Sequence, residues 1–330
     1  MPGLGPGGGW CATKAPLLSP PEGRLVYFMG NGSRTVAKDG IDAIRAMLAA
    51  KPRPVGWAER RVRLDEVGAV WPVADDISGE PVDCGGVPGE WSLAPGAEPS
   101  RVLMFFHGGG YCAGSIVSHR RLATEAGRAA RMRTLAIGYH LAPEHPYPAA
   151  HEDALAAWRF LRGQGIAAGA IALGGDSAGA NLALALVSRL RAAGEEGPAC
   201  LWLASPWTDL TLSGSTLTTK DADDPLIHKP YLEELADAYA PAPLDRTDPL
   251  ISPLFADFSG FPPTLIQVGS AETLLADATR LAAAMGAAEV AVTLEIWPRM
   301  IHAWPLWNAR LEEGRKALER AGEFVRDWVR

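Results

Sequence analysis

The sequence predicts an α/β fold in which a mostly parallel central sheet carries helices on both faces. Six continuous apolar runs, RVLMFFHGG, TLAIGYHL, AIALGGDS, CLWLASPW, PTLIQVGS and VTLEIW, alternate with segments of helical period. Strands buried on both faces lose the apolar/polar alternation of a half-exposed sheet and read as such runs. One intervening helix carries its own end signals. Glu152 and Asp153 sit in its first turn, Arg159 and Arg162 lie near its end, and Gly163 closes it, all in accord with the helix dipole.

The remaining elements follow in chain order. The first twenty-odd residues are rich in Gly and Pro and are expected to form a poorly ordered arm. Asp39 to Ala50 then read as a short amphipathic helix, with Ile41, Ile44, Met47 and Leu48 on one stripe. From Arg61 onward, VRLDEVGAVWPVA and PGEWSLAP suggest short strands and an antiparallel start to the sheet. Residues 207–253 break the pattern with a Thr/Ser/Asp/Pro-rich stretch holding one short helix, roughly Pro230 to Tyr239. They are expected to form an insertion over the sheet edge. The final segment places Leu318, Ala321, Phe324, Val325 and Trp328 on one face, the pattern of a closing helix packed on the sheet.

The chain has 330 residues, 48% of them hydrophobic and 21% charged, enough for a large core that α/β folds of this size often keep as one unit. A formal net charge of -7 argues against nucleic acid as a partner, since phosphate binding needs a basic surface. The one basic stretch, Lys51 to Arg63 (KPRPVGWAERRVR), is expected to be a solvated face rather than a polyanion patch. Cys11, Cys84, Cys112 and Cys200 are widely spaced and lack a CxxC pair, so neither a zinc ribbon nor a disulfide framework is implied. The N-terminus lacks the basic start and apolar run of a secretory signal, and no run reaches the ~18 apolar residues of a membrane span. The expectation is a cytoplasmic protein without a membrane span.

Chemistry concentrates in four places. Gly175-Asp176-Ser177-Ala178-Gly179 fits GxSxG, where glycines on either side of the serine permit a sharp strand-to-helix turn. The pattern is short, but an apolar strand precedes it and a helix with small residues in its first turns follows. His107-Gly108-Gly109-Gly110 follows another strand. Its bare N–H groups suit an oxyanion hole, with Gly108, Gly109 and Ala178 as donors. A serine nucleophile needs a base, and of the seven histidines only His302 satisfies the chain order serine, acid, histidine. His107 belongs to the glycine loop, and His140, His145 and His151 sit in a crossover turn without zinc-ligand spacing. His119 and His228 are expected to be solvated. Two carboxylates follow the strand TLIQVGS. Glu272 lies directly off its end and is preferred, and Asp277, five residues on, is the alternative acid. Tyr111, Trp207, Ile301 and Trp304 flank these motifs and are candidates for the substrate pocket.

HGGGY, YHLAPEHPYPAAHEDALAA, GDSAGAN, SPWTDLT, DPLISPLFAD and MIHAW together resemble the bacterial hormone-sensitive-lipase-like esterases, from about Val102 to the C-terminus. The resemblance implies an α/β-hydrolase fold, with residues 1–55 as N-terminal arm and cap segment. Residues 56–330 would be the catalytic domain, with a cap insertion at about 207–253. It further implies a triad of Ser177, Glu272 and His302, although many members carry aspartate where Glu272 stands. Hydrolysis of short to medium acyl esters of small molecules would proceed through an acyl-serine, without metal or organic cofactor. Two other readings share the architecture. Plant gibberellin receptors resemble the same family but bind ligand without the catalytic histidine, which is present here; amidases use the same triad. Family members often dimerise, and VTLEIW is a plausible edge for a homodimer.

Overall fold

A computed structural model describes residues 38–51 and 53–330; the expected N-terminal arm and Cys11 lie outside the described residues. In chain order the elements are α1 (Lys38–Ala49), α2 (Trp57–Ala69), β1 (Ser78–Asp83), β2 (Pro88–Leu93), β3 (Glu98–Phe106), α3 (Ile116–Ala130), β4 (Met132–Ile137) and α4 (Ala149–Gly163). There follow β5 (Ile171–Asp176), α5 (Ala178–Ala192), β6 (Cys200–Ala204), α6 (Thr216–Thr219), α7 (Lys229–Tyr239), β7 (Thr264–Gly269), α8 (Leu275–Ala287), β8 (Val292–Trp297) and α9 (Glu312–Trp328).

The strands form one eight-stranded sheet in the order β1-β2-β4-β3-β5-β6-β7-β8. β1 and β2 pair antiparallel, β2 meets β4 antiparallel, and every pairing from β4 to β8 is parallel. β3 illustrates why the parallel strands read as unbroken apolar runs. Val102, Met104 and Phe106 point into a core shared with α4, α5 and α8, and Leu103 and Phe105 point into a second core under α3 and α9. Both faces of the strand are thereby out of water.

α1 forms where its apolar stripe predicts. Ile41 and Ile44 pack on Met300, Ile301 and Trp304, and Arg299 forms a two-oxygen ion pair with Asp42 (2.7 and 3.0 Å). The following segment departs from expectation. Residues 57–69 are helical, not a strand. Arg63 and Glu66 are paired three residues apart, the Asp65 carboxylate accepts from Ser115 Oγ (2.5 Å), and Gly68 meets the Ser118 backbone so closely that a β-carbon would stand 2.5 Å from it. Docking on α3 thus overrides the weak β-preference of Val62, Val67 and Val70. Among the described residues, no helix is long and apolar enough to cross a membrane.

α9 seats on α3 through another close approach, at Gly322, where a β-carbon would lie 2.3 Å from the Ala129 carbonyl carbon. Gly322→Ala is therefore expected to force the helices apart and cost about 1–3 kcal/mol, seen as a lower urea midpoint. An unchanged midpoint would mean that the two helices part freely.

Candidate active site

β5 ends at Asp176, and Ser177 bridges strand and helix with φ 53° and ψ -119°, a conformation that costs energy for a residue with a β-carbon. The reversal brings Gly175 and Gly179 together. A β-carbon on Gly175 would stand 2.5 Å from the Gly179 carbonyl carbon, and one on Gly179 would stand 2.0 Å from the Phe106 oxygen. The serine is pinned on its other side by β6. Its N–H donates to the Ala204 carbonyl (2.9 Å), and its own carbonyl accepts from the Trp207 N–H (3.2 Å). α5 begins at the next residue, so the positive end of the helix dipole lies at Ser177.

The glycine loop after β3 faces Ser177 across a cavity of about 460 Å³. Gly109 (φ 116°) and Gly110 (φ 64°) adopt backbone conformations that favour glycine. Both line the cavity, and neither their N–H groups nor that of Ala178 find a backbone acceptor among the described residues. Gly108 is different, which corrects the expected oxyanion set. Its N–H donates to Asp176 Oδ1 (3.0 Å), so it holds the loop to β5 and is not available to a ligand. Gly110, not Gly108, joins Gly109 and Ala178 as a bare donor.

His302 lies in the loop after β8, buried except for its cavity face, and its Nδ1 is 2.9 Å from Glu272 Oε2. Glu272 is fully buried at the end of β7, where Oε1 accepts from Ser205 Oγ (2.9 Å) and from the Gly269 N–H. Three donors thus converge on this carboxylate, the arrangement that suits its charged form. Burial alone would lower the His302 pKa, but the hydrogen bond and charge of Glu272 outweigh it and hold the imidazole above its ordinary value. Burial pushes Glu272 itself upward, against the pull of the same bond. Ser177 and His302 line one cavity. No hydrogen bond joins them; such contacts commonly tighten only around bound substrate.

Asp277 does something else. It is buried at the start of α8, and its Oδ2 accepts from the Thr208 and Asp209 N–H groups (2.8 and 2.9 Å). Desolvation raises its pKa to about 7. It fastens the loop after β6 and makes no bond to His302.

Of the four candidate pocket residues only Trp207 lines the cavity. Tyr111 is buried in the main core, stacked on Tyr239 at 3.7 Å with its hydroxyl donating to Asn181 Oδ1 (2.8 Å). Ile301 and Trp304 pack under α1. Large apolar residues beside a motif are drawn into the core by their own area. The apolar lining comes instead from helices that overlie the sheet, including Leu48 of α1, Val67 of α2, and Leu232 and Leu235 of α7. The Lys51–Arg63 stretch is solvated in large part, with Lys51 and Arg53 exposed, but Arg60 is buried, and Lys51, Arg53, Arg60 and Arg63 all line the cavity.

Two residues escaped sequence reasoning. His119 is buried, not solvated, with Nε2 3.3 Å from Asp176 Oδ2 and Nδ1 2.7 Å from Ser118 Oγ. Burial opposes the charge on Asp176, but the His119 imidazole, with His302 beyond it, more than compensates and holds that carboxyl below its usual range. Asn181 donates to the Trp207 and Ile251 carbonyls (3.0 and 3.1 Å), tying α5 to two loops. Only its place in GDSAGAN hinted at it. His107, stacked on Tyr139 at 4.2 Å, is held neutral by burial, its pKa pushed down to about 3.

A family model described as alpha/beta hydrolase fold matches residues 103–306. The chain is 42% identical over 267 residues to an acetyl-hydrolase of Streptomyces hygroscopicus, covering 81% of this chain and 89% of that one. It is 36% identical over 262 residues to an esterase of Acinetobacter venetianus, covering 79% and 86%. Among solved structures it resembles an esterase from the bacterial hormone-sensitive lipase family, with 40% identity, a TM-score of 0.85, and coverage of 88% of this chain and 98% of the other.

The Glu272 bond makes a titration prediction. Glu272→Gln removes the charge that raises His302 and leaves burial to act alone, so the imidazole pKa should fall. Histidine NMR titration checks this, with Asp277→Asn as comparison. A His302 midpoint that moves with Asp277 and not with Glu272 would reverse the roles of the two acids.

Proposed function

The chain belongs to the bacterial hormone-sensitive-lipase-like family of α/β-hydrolases, and on that premise we propose that it hydrolyses carboxylic esters with Ser177 as nucleophile. The observation that carries this reading is the shared cavity, onto which Ser177, His302 and the glycine loop converge while Glu272 anchors the histidine from behind. His302 Nε2 takes the Ser177 proton as Oγ attacks the ester carbonyl carbon. The oxyanion that forms is held by the N–H groups of Gly109, Gly110 and Ala178, donors whose alignment is already set by the fold. His302 then returns the proton to the departing alcohol, leaving an acyl-serine. Water, deprotonated by the same histidine, attacks the acyl carbon and releases the acid.

Glu272 keeps Nδ1 protonated, so Nε2 is the free base, and its charge stabilises the imidazolium of each transition state. A cavity of about 460 Å³ suits short to medium acyl chains better than long ones. The only organic partner required is the ester. A second copy of the chain, pairing along β8 at the sheet edge, is the proposed protein partner; light scattering should then read about twice the 35.0 kDa chain mass.

The direct test is the initial rate across p-nitrophenyl esters from acetyl to palmitoyl. Rates should peak at short chains, and Ser177→Ala should lower kcat by at least about 10⁴-fold. Glu272→Ala should cost more than Asp277→Ala. Because the base must be neutral, kcat/KM should fall as pH drops through the raised His302 pKa, above its ordinary 6.5. A folded protein inert toward every ester would move the reading to ligand binding without catalysis.

A further inference from the structure

Ser205 opens SPWTDLT, one residue beyond the end of β6, and is fully buried. It lies outside the lining of the cavity, so it does not meet substrate. Its N–H donates to the Gln267 carbonyl (2.7 Å) and so continues the pairing of β6 with β7. Its backbone is held at φ 45°, in the left-handed region that a residue with a β-carbon enters at a cost.

From that position the hydroxyl reaches two partners. Oγ accepts from the Ala303 N–H (3.0 Å) and donates to Glu272 Oε1 (2.9 Å). A hydroxyl carries one proton and an amide N–H can only donate, so the direction of both bonds is settled. Ala303 follows His302 in the chain and is itself held at φ 51°. One hydroxyl thus ties the acid of the site to the backbone of its base. Glutamate has a longer and freer side chain than aspartate and needs more to hold it. The Gly269 N–H and Ser205 Oγ both engage Oε1, which leaves Oε2 to meet His302 Nδ1 at 2.9 Å. The loops after β7 and β8 meet again where the Ala271 N–H donates to the Met300 carbonyl (3.0 Å), but that bond reaches neither carboxylate nor imidazole.

We propose that Ser205 is a positioning residue for ester hydrolysis, its hydroxyl fixing the reach and direction of the Glu272–His302 bond from between Glu272 Oε1 and the Ala303 N–H. This rests on the ester-hydrolase reading above. The hydroxyl acts on the imidazole in two ways. It holds Glu272 and the His302 loop in one register, so that Nε2 is placed for the Ser177 proton. It also draws part of the carboxylate charge toward Oε1, which tempers the pull on the imidazolium and lets the proton pass on to the leaving alcohol. Two other acids bear on His302, Asp224 and Asp176, and Asp224 bears on Glu272 as well. Asp224 is engaged by the Thr273 N–H (2.9 Å) and Asp176 by the Gly108 N–H (3.0 Å); neither is a hydrogen-bond partner of Ser205 among the described residues.

The test measures kcat, KM and the pH profile of kcat/KM on p-nitrophenyl acetate for Ser205→Ala and Ser205→Gly, with circular dichroism and thermal melting to establish folding. Glycine adopts a positive φ freely, so Ser205→Gly carries the test if Ser205→Ala does not fold. Both variants should lose roughly tenfold or more in kcat, the scale of one hydrogen bond to a buried charge. KM should stay within about twofold of the parent, because Ser205 does not meet substrate. The acid limb of kcat/KM should move to higher pH, since a carboxylate with one donor fewer makes the imidazolium hold its proton more tightly. A residue that merely filled the core would lower the melting temperature and leave the limb in place. A folded variant with parental kcat, or with an unmoved acid limb, overturns the positioning role while ester hydrolysis stands. A folded parent protein inert toward the ester, or one left fully active by Ser177→Ala, overturns the ester-hydrolase reading itself.

Discussion

At the end of β5 the backbone reverses within two residues, and Gly179 comes so close to β3 that a β-carbon on it would stand 2.0 Å from the Phe106 carbonyl oxygen. That contact sets how deeply α5 sits against the sheet, and so where Ser177 and the bare N–H of Ala178 stand. The glycine loop continues from Phe106 itself, so one close approach fixes both sides of the proposed oxyanion site. Asp176 completes the link by accepting the Gly108 N–H. The strained dihedral at Ser177 is held because strand pairing on one side and helix packing on the other leave it no alternative.

Around that turn the fold allots its buried carboxylates with little overlap. Asp176 orients the glycine loop, Asp277 fastens the loop after β6, and Glu272 alone reaches the imidazole. Each is buried at a cost, and each meets that cost with donors of its own: imidazole and amide for Asp176, two amides for Asp277, hydroxyl, amide and imidazole for Glu272. The difference between a structural and a proposed catalytic acid here lies in which donors converge on it. All three are equally out of water.

The helices above the sheet work under the opposite constraint. α1 is clasped to the His302 loop by the Ile41 and Ile44 contacts and the Asp42–Arg299 pair, so the roof and the proposed base move as one packed unit. α2 and α7 supply apolar lining, with Leu64 and Val67 from one and Leu232 and Leu235 from the other. The cavity is therefore asymmetric, with the bare amides of the glycine loop on the sheet side and apolar side chains on the helical side.

The run of parallel strands, the serine turn and the histidine near the C-terminus were legible in the sequence because each rests on local pattern: unbroken apolar runs, glycines at fixed offsets, and chain order. α2 was misjudged because its helix depends on Gly68 meeting Ser118, a contact fifty residues away. His119 read as solvated because its burial comes from the return of β5 beside β3. The choice of Gly110 over Gly108, and of Glu272 over Asp277 as the neighbour of His302, turns on a single hydrogen bond in each case. By itself the sequence determined the α/β class and the set of chemically capable residues, since periodicity and turn chemistry act over a few positions. Only the tertiary structure decided which donors meet which acceptors and which side chains line the cavity, because those depend on distances between segments that sequence spacing does not encode.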